Sequence, residues 1–359
     1  MMMDQYNEIK NLLENIKDSD LGLSLKELDA ISNINIDNDM LNILLTLPGP
    51  ITYSKQDYEK IISTVLKNAG YQKTINLKIE EKIENNVELK KRPGFLTNVK
   101  YVIAIASGKG GVGKSTISAN IAAELAKQGA KVGILDSDIY GPSQTIMFGA
   151  KDEFMEAETD QHGKTKAYPV EKYGVKVASI GFVLNRDDAA ALRGPMLSNI
   201  FSMLYEQIDW GELDYLIFDL PPGTGDIHLT FSQKIQPDGI VLVTTPQEIS
   251  LADVRRGANL FKKMNINILG VIENMSYFIP PDIPNKKYYI FGQEGGKNIA
   301  FELGLLLLGE VPFSIMMRET SDSGKPIVLQ DNGDYQKEVL KDITANMISE
   351  LRRKNFNIK

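Results

Sequence analysis

The chain has 359 residues, 43% of them apolar and 24% charged, and a formal net charge of −7. These values suit a folded protein of about two domains and exclude disorder as the default, while the acidic balance gives no electrostatic reason to bind nucleic acid or an anionic membrane. There is no cysteine and only two histidines, His162 and His228, which removes disulfides, thiol catalysis and thiolate metal sites.

The first residues carry acid and no signal-like apolar stretch, and no run is long and apolar enough to span a bilayer, so a cytoplasmic protein is expected. Ile9, Leu12, Leu13 and Ile16 recur at helical spacing, and the stretch 18–22 stops that helix. Two strands follow over 30–36 and 40–47, joined by a turn at Asp37, Asn38 and Asp39. Tyr58, Ile61, Ile62, Val65 and Leu66 mark a second helix ended by Gly70, and Ile75, Leu77 and Ile79 alternate as in a strand. Residues 1–80 thus read as a small N-terminal α+β domain, and the polar stretch before Pro93 and Gly94 places a linker at 81–97.

A second domain is expected over 98–359. Its apolar runs at 101–106, 132–135, 215–218, 240–243 and 268–272 are continuous and most alternate with helix-length segments. That pattern predicts an α/β fold with a doubly wound, mostly parallel sheet.

The first of these runs leads directly into SGKGGVGKST and an Ala-rich helix. Strand, glycine-rich turn and helix in succession form a phosphate loop for ATP, in which Gly108, Gly110, Gly111, Val112 and Gly113 turn backbone N–H groups onto the phosphates. Lys114 places its charge on the outer phosphates, Ser115 offers a hydroxyl to magnesium, and Thr116 sits near the inner phosphate.

Carboxylates at the ends of neighbouring strands fall where such a sheet binds ligand. In DSDIYGPSQT, Asp138 is expected to orient the attacking water, with Asp136 supporting it or the magnesium shell; the plainer role for either is to cap the next helix. In YLIFDLPPGTGD, Asp219 is expected to hold magnesium through water, and the Gly223 amide to contact the terminal phosphate. Loops are expected at Glu273, Asn274 and Met275 and at Val311, Pro312 and Phe313. Asn274 carries an amide suited to the edge of adenine or, more plainly, to a turn.

Lys109, directly after the first glycine, is the variant of the ParA, MinD and nitrogenase iron protein group of ATPases, which this loop resembles. The resemblance implies a homodimer in which Lys109 reaches the partner's nucleotide. Because phosphoryl transfer needs little covalent help, positioning by Lys109, Lys114, Asp138 and magnesium is expected to carry hydrolysis. Taken with DSDIYGPSQ, RGPM at 193–196, DLPPGTGD, TTPQEISLADVRRG, ENMSYF and YYIFGQEGG, the chain resembles the Mrp/ApbC family of iron-sulfur cluster carrier ATPases over about 98–335. The small domain resembles one often fused ahead of it. The family implies ATP, magnesium, a [4Fe-4S] cluster held between two subunits, and transfer to apoproteins or scaffold proteins. Its cluster ligands are a Cys-x-x-Cys pair after the ENMSYF segment, where this chain has Pro280, Pro281, Asp282 and Ile283. Thiols from a partner or small molecule, weak binding through oxygen or His228, or an ATP switch alone remain as readings.

The rival is a ParA/MinD-like positioning switch on DNA or membrane. Its features would be Arg255-Arg256 or Lys262-Lys263 as a basic patch, or the apolar stripe of Val339, Leu340, Ile343, Met347 and Leu351, followed by Arg352, Arg353 and Lys354, as an amphipathic anchor. A helix docked on the domain core is the plainer meaning of that stripe. A small-molecule kinase ranks last, since no lid-like Arg cluster is apparent.

Overall fold

The uninterrupted apolar runs of the second half of the chain become strands buried on both faces of one sheet. The computed structural model describes residues 2–37, 40–82, 93–139, 141–163, 165–183, 204–223, 226–331 and 335–356. The expected turn residues Asn38 and Asp39, most of the linker, and the RGPM string at 193–196 lie outside the described residues. The chain divides into two units, Met1–Leu89 with Ile348–Lys359, and Lys90–Met347.

In the first unit, β1 (Ile31–Ile36) pairs antiparallel with β2 (Met40–Pro48), and β2 pairs parallel with β3 (Thr74–Lys82). Burial alternates along β2, so one face packs inward. Leu41, Ile43 and Leu45 on that face join Ile9 and Leu13 of α1 (Met2–Glu14) and Tyr58, Ile62 and Leu66 of α2 (Ser54–Asn68) in one core. The sequence reading carries the second domain to residue 359, whereas Ile348–Lys359 group with this first unit. The reason is Arg352, which is 0% exposed. Its guanidinium meets Asp18 at 2.6 Å and Asp20 at 3.0 Å, and its Nε donates to the Pro48 carbonyl at 2.8 Å. The Tyr58 hydroxyl donates to the same Asp18.

In the second unit an eight-stranded sheet has the order β13-β12-β11-β4-β10-β5-β9-β8. Strands β4 (Val99–Ala106), β5 (Val132–Asp136), β10 (Leu213–Asp219), β11 (Gly239–Thr244), β12 (Ile268–Phe278) and β13 (Leu307–Phe313) run parallel. The chain adds β5 and β10 on one side of β4 and β11 to β13 on the other, so β4 stands at the reversal of strand order, where such sheets bind ligands. The sequence reading misses the short strands between β5 and β10: the ribbon β6 (Glu156–Thr159) with β7 (Thr165–Tyr168), and the edge pair β8 (Val170–Lys172) and β9 (Val175–Ser179). β6 is exposed throughout and β8 has three residues, so neither carries an apolar run to read.

Two further expectations are corrected. The residues 273–275 and 311–313, read as loops, stay inside β12 and β13, because Glu273 pairs with Glu310, Asn274 with Val311, and Phe278 with Phe313. Pairing slips between Asn274 and Phe278, where Met275 takes a φ of 55°. The terminal stripe lies on α8 (Tyr335–Asn355), with Leu340, Ile343 and Met347 buried. The Asn346 side-chain amide donates to the Leu308 carbonyl at 3.0 Å, and the backbone of Gly309 lies against Ile343, so the part of the helix before residue 348 packs on β13. Among the described residues no helix is long and apolar enough to cross a membrane.

Candidate nucleotide site

The glycine loop joins β4 to α3 (Lys114–Lys127), as the spacing predicts. Gly113 has a φ of 80°, and a Cβ there would run into the Asn274 amide, so only glycine fits. Gly108 is equally confined, by the backbone of Asp253 in α6 (Glu248–Lys263). Small residues let α3 lie close on the sheet: Ser118, Ala119, Ala122 and Ala123 are all buried.

Register does the rest. Asp219, the last residue of β10, stands beside Ile105 of β4 on one side and Asp136 of β5 on the other. The Lys114 ammonium, 6% exposed, ion-pairs with the Asp219 carboxylate, 0% exposed, and lies 3.2 Å from the Ser115 hydroxyl. Ser118 donates to Asp219 Oδ1 at 2.9 Å and Gln144 donates to Oδ2 at 2.8 Å. Magnesium characteristically takes one or two carboxylates plus phosphate oxygens, so the Ser115 hydroxyl and Asp219 carboxylate are a donor set that fits it.

Asp136 is fully buried and accepts four donors: the N–H groups of Asp138, Ser143 and Gln144, and the Ser179 hydroxyl. Burial, and next the charge of Asp219, push its carboxyl well above the usual carboxylate range, against the Gln144 and Ser143 N–H groups that hold it down. The Ser143 and Gln144 N–H groups tie it to the start of α4 (Gln144–Met147). Asp138 is half-buried, and its Oδ1 accepts from the Gly141 N–H at 3.2 Å. Lys109 and Gly110 are exposed, and Ser115 and Thr116 are half-buried. The Gly223 N–H donates to the Ser107 carbonyl at 2.9 Å, and Asn274 donates from Nδ2 to the Val112 carbonyl at 2.8 Å. Both expected nucleotide contacts are thus engaged with the loop itself. Beside Asn274, buried Glu273 accepts from the Gly296 N–H of α7 (Gly295–Leu303), and burial raises its carboxyl pKa.

Sequence reasoning missed Gln144. Its only signal is a polar side chain in a loop already marked by Asp136 and Asp138.

The residues present do not fit an iron-sulfur cluster. The chain has no cysteine, and such clusters need thiolates. The loop 279–287 is closed by a backbone bridge between Phe278 and Tyr288, with Lys287 over the Tyr277 ring at 3.9 Å. His228, on α5 (Asp226–Ile235), is 1% exposed, which removes it as an accessible cluster ligand. Of the residues suggested as a basic patch, Arg255 pairs with Glu248 and Glu302 and Arg256 with Asp253, while Lys262 donates to the Leu303 carbonyl.

A parallel α/β sheet with a phosphate loop at its strand-order reversal, a loop lysine and a strand-end aspartate defines a P-loop NTPase. The chain belongs to the ParA family described as NUBPL iron-transfer P-loop NTPase, whose model matches residues 98–348. It is 42% identical to the iron-sulfur cluster carrier protein of Synechocystis over 89% of this chain and 90% of that protein. It is 45% identical to the iron-sulfur cluster transfer protein NUBPL of Dictyostelium discoideum over 71% of this chain and 78% of that one. Among solved structures it resembles a nucleotide-binding protein of Archaeoglobus fulgidus in complex with ADP, with a TM-score of 0.56 and 35% identity over 68% of this chain and 93% of that chain.

Proposed function

We propose that this chain binds Mg-ATP at the glycine loop, hydrolyses it as a homodimer, and uses the cycle to pass iron-sulfur clusters to apoproteins. The observation that carries the nucleotide reading is the meeting of Lys114, Ser115 and Asp219 at the ends of β4 and β10. The transfer reading rests on likeness to carrier and transfer proteins along most of the chain.

In this reading Lys114 leaves Asp219 for the outer phosphates, and loop N–H groups cradle the rest. Magnesium, when bound, neutralises charge on the transferring phosphoryl group. Ser115 and Asp219 hold the ion, and Asp136 steadies the acidic loop so that Asp138 orients the water. Phosphoryl transfer asks mainly for such positioning. Lys109, exposed at the loop tip, is free to reach a second subunit's nucleotide. The Gly223 N–H, now on Ser107, would exchange that carbonyl for the terminal phosphate and return after hydrolysis. The ATPase work is assigned to the domain beginning at 98, and the small domain of 1–80 to a separate task across the linker 81–97.

The cluster is cargo in this account, and its thiolates come from the partner or a small thiol, because this chain supplies none. The test is an anaerobic transfer assay from a cluster-loaded scaffold to an apo acceptor. ATP with the intact chain should speed the transfer, and a Lys114→Ala chain should not. Equal rates with and without the chain would contradict the proposal.

A further inference from the structure

Gln144 opens the short helix α4 and is fully buried. Its side-chain amide donates to Asp219 Oδ2 at 2.8 Å and to the Ser115 carbonyl at 3.1 Å. Its backbone N–H donates to Asp136 Oδ2 at 3.0 Å. One residue therefore ties the end of β10, the first turn of α3 and the acidic loop after β5. Its Oε1 is buried and accepts from no protein donor, which leaves that oxygen for the hydrogen of a metal-bound water.

We propose that Gln144 is the positioning residue of the magnesium site. It fixes the rotation of the Asp219 carboxylate toward the ion's water shell and couples that carboxylate to the Asp136 loop. The inference rests on the reading of Ser115 and Asp219 as the residues that hold the ion. Asp219 Oδ1 is held by Lys114 and Ser118. When Lys114 turns to the phosphates, Ser118 on Oδ1 and Gln144 on Oδ2 remain to hold the plane of the carboxylate. Partners of this outer kind set the direction and basicity of a metal-binding group without touching the metal. A core-filling glutamine would need neither the Asp219 bond nor the Ser115 bond.

The test compares ADP affinity of the full chain in magnesium and in EDTA, by calorimetry. Gln144→Met keeps the volume and the backbone bond to Asp136 but removes the side-chain donor. The ratio of the two affinities should fall about ten- to hundredfold, the usual cost of losing an outer-shell partner, with the EDTA affinity unchanged. Should that variant fail to fold, Gln144→Asn keeps the amide but is one methylene too short to reach both acceptors, and should lower the ratio likewise. An unchanged ratio, or a parallel fall in both affinities, would make Gln144 a structural residue and overturn the inference. No ADP uptake by the wild-type chain in either condition would overturn the nucleotide reading itself, and this inference with it.

Discussion

Asn274 donates from its side-chain amide to the carbonyl of Val112 at 2.8 Å, so the far end of β12 holds the phosphate loop in shape. Both residues are buried, and an unpaired carbonyl left there would cost about 1–3 kcal/mol. Asn274→Ala should therefore weaken ATP and inorganic triphosphate alike, by roughly tenfold. Competition binding with the two ligands checks it. A loss confined to ATP would instead mean that Asn274 reads the base.

Lys109 is exposed at the loop tip, whereas Lys114 is buried beside Asp219. Lys109→Ala should leave the nucleotide affinity of one subunit within roughly threefold, as suits an exposed charge. The ATP-dependent dimer should be lost, as read by light scattering with and without ATP.

Arg352 is a buried cation between two aspartates, and the pair is costly to break because one charge would be left without its partner. Arg352→Ala should destabilise the first unit by about 3–5 kcal/mol. The neighbouring Arg353→Ala should stay within ~0.5 kcal/mol. Hydrogen exchange at the amides of 41–45 in β2 gives the readout.

Burial, and next the positive charge of Lys114, hold the His228 imidazole down to about 4, against the Pro221 carbonyl, which favours its protonated form. The folded pKa lies below the unfolded one of about 6.5, so the unfolded chain binds the extra proton between these values. Stability from this residue is complete above about pH 6.5 and is lost as pH falls toward 4. Between pH 7.5 and pH 5 the wild-type chain should lose about 2 kcal/mol more than His228→Gln, as measured by urea unfolding.

The parts of the fold that were legible in the sequence are those where one local rule decides. The phosphate loop is one: its glycine spacing falls directly between an apolar strand and an Ala-rich helix. The buried central strands are another. What was not legible depends on partners distant along the chain. Nothing near Arg352 announces that it meets Asp18 and Pro48, 334 and 304 residues away. Gln144 gains its role only when β5 and β10 lie side by side. The residues 273–275 read as a loop because Asn and Glu are poor strand formers, yet pairing with β13 overrides that preference.

Uptake of Mg-ATP by the glycine loop underlies every role assigned above. Calorimetry of the purified, folded chain should show saturable Mg-ATP binding, followed by slow phosphate release, and Lys114→Ala should abolish the release and most of the binding. No heat of binding in the wild-type chain, or the same isotherm in both proteins, would contradict it.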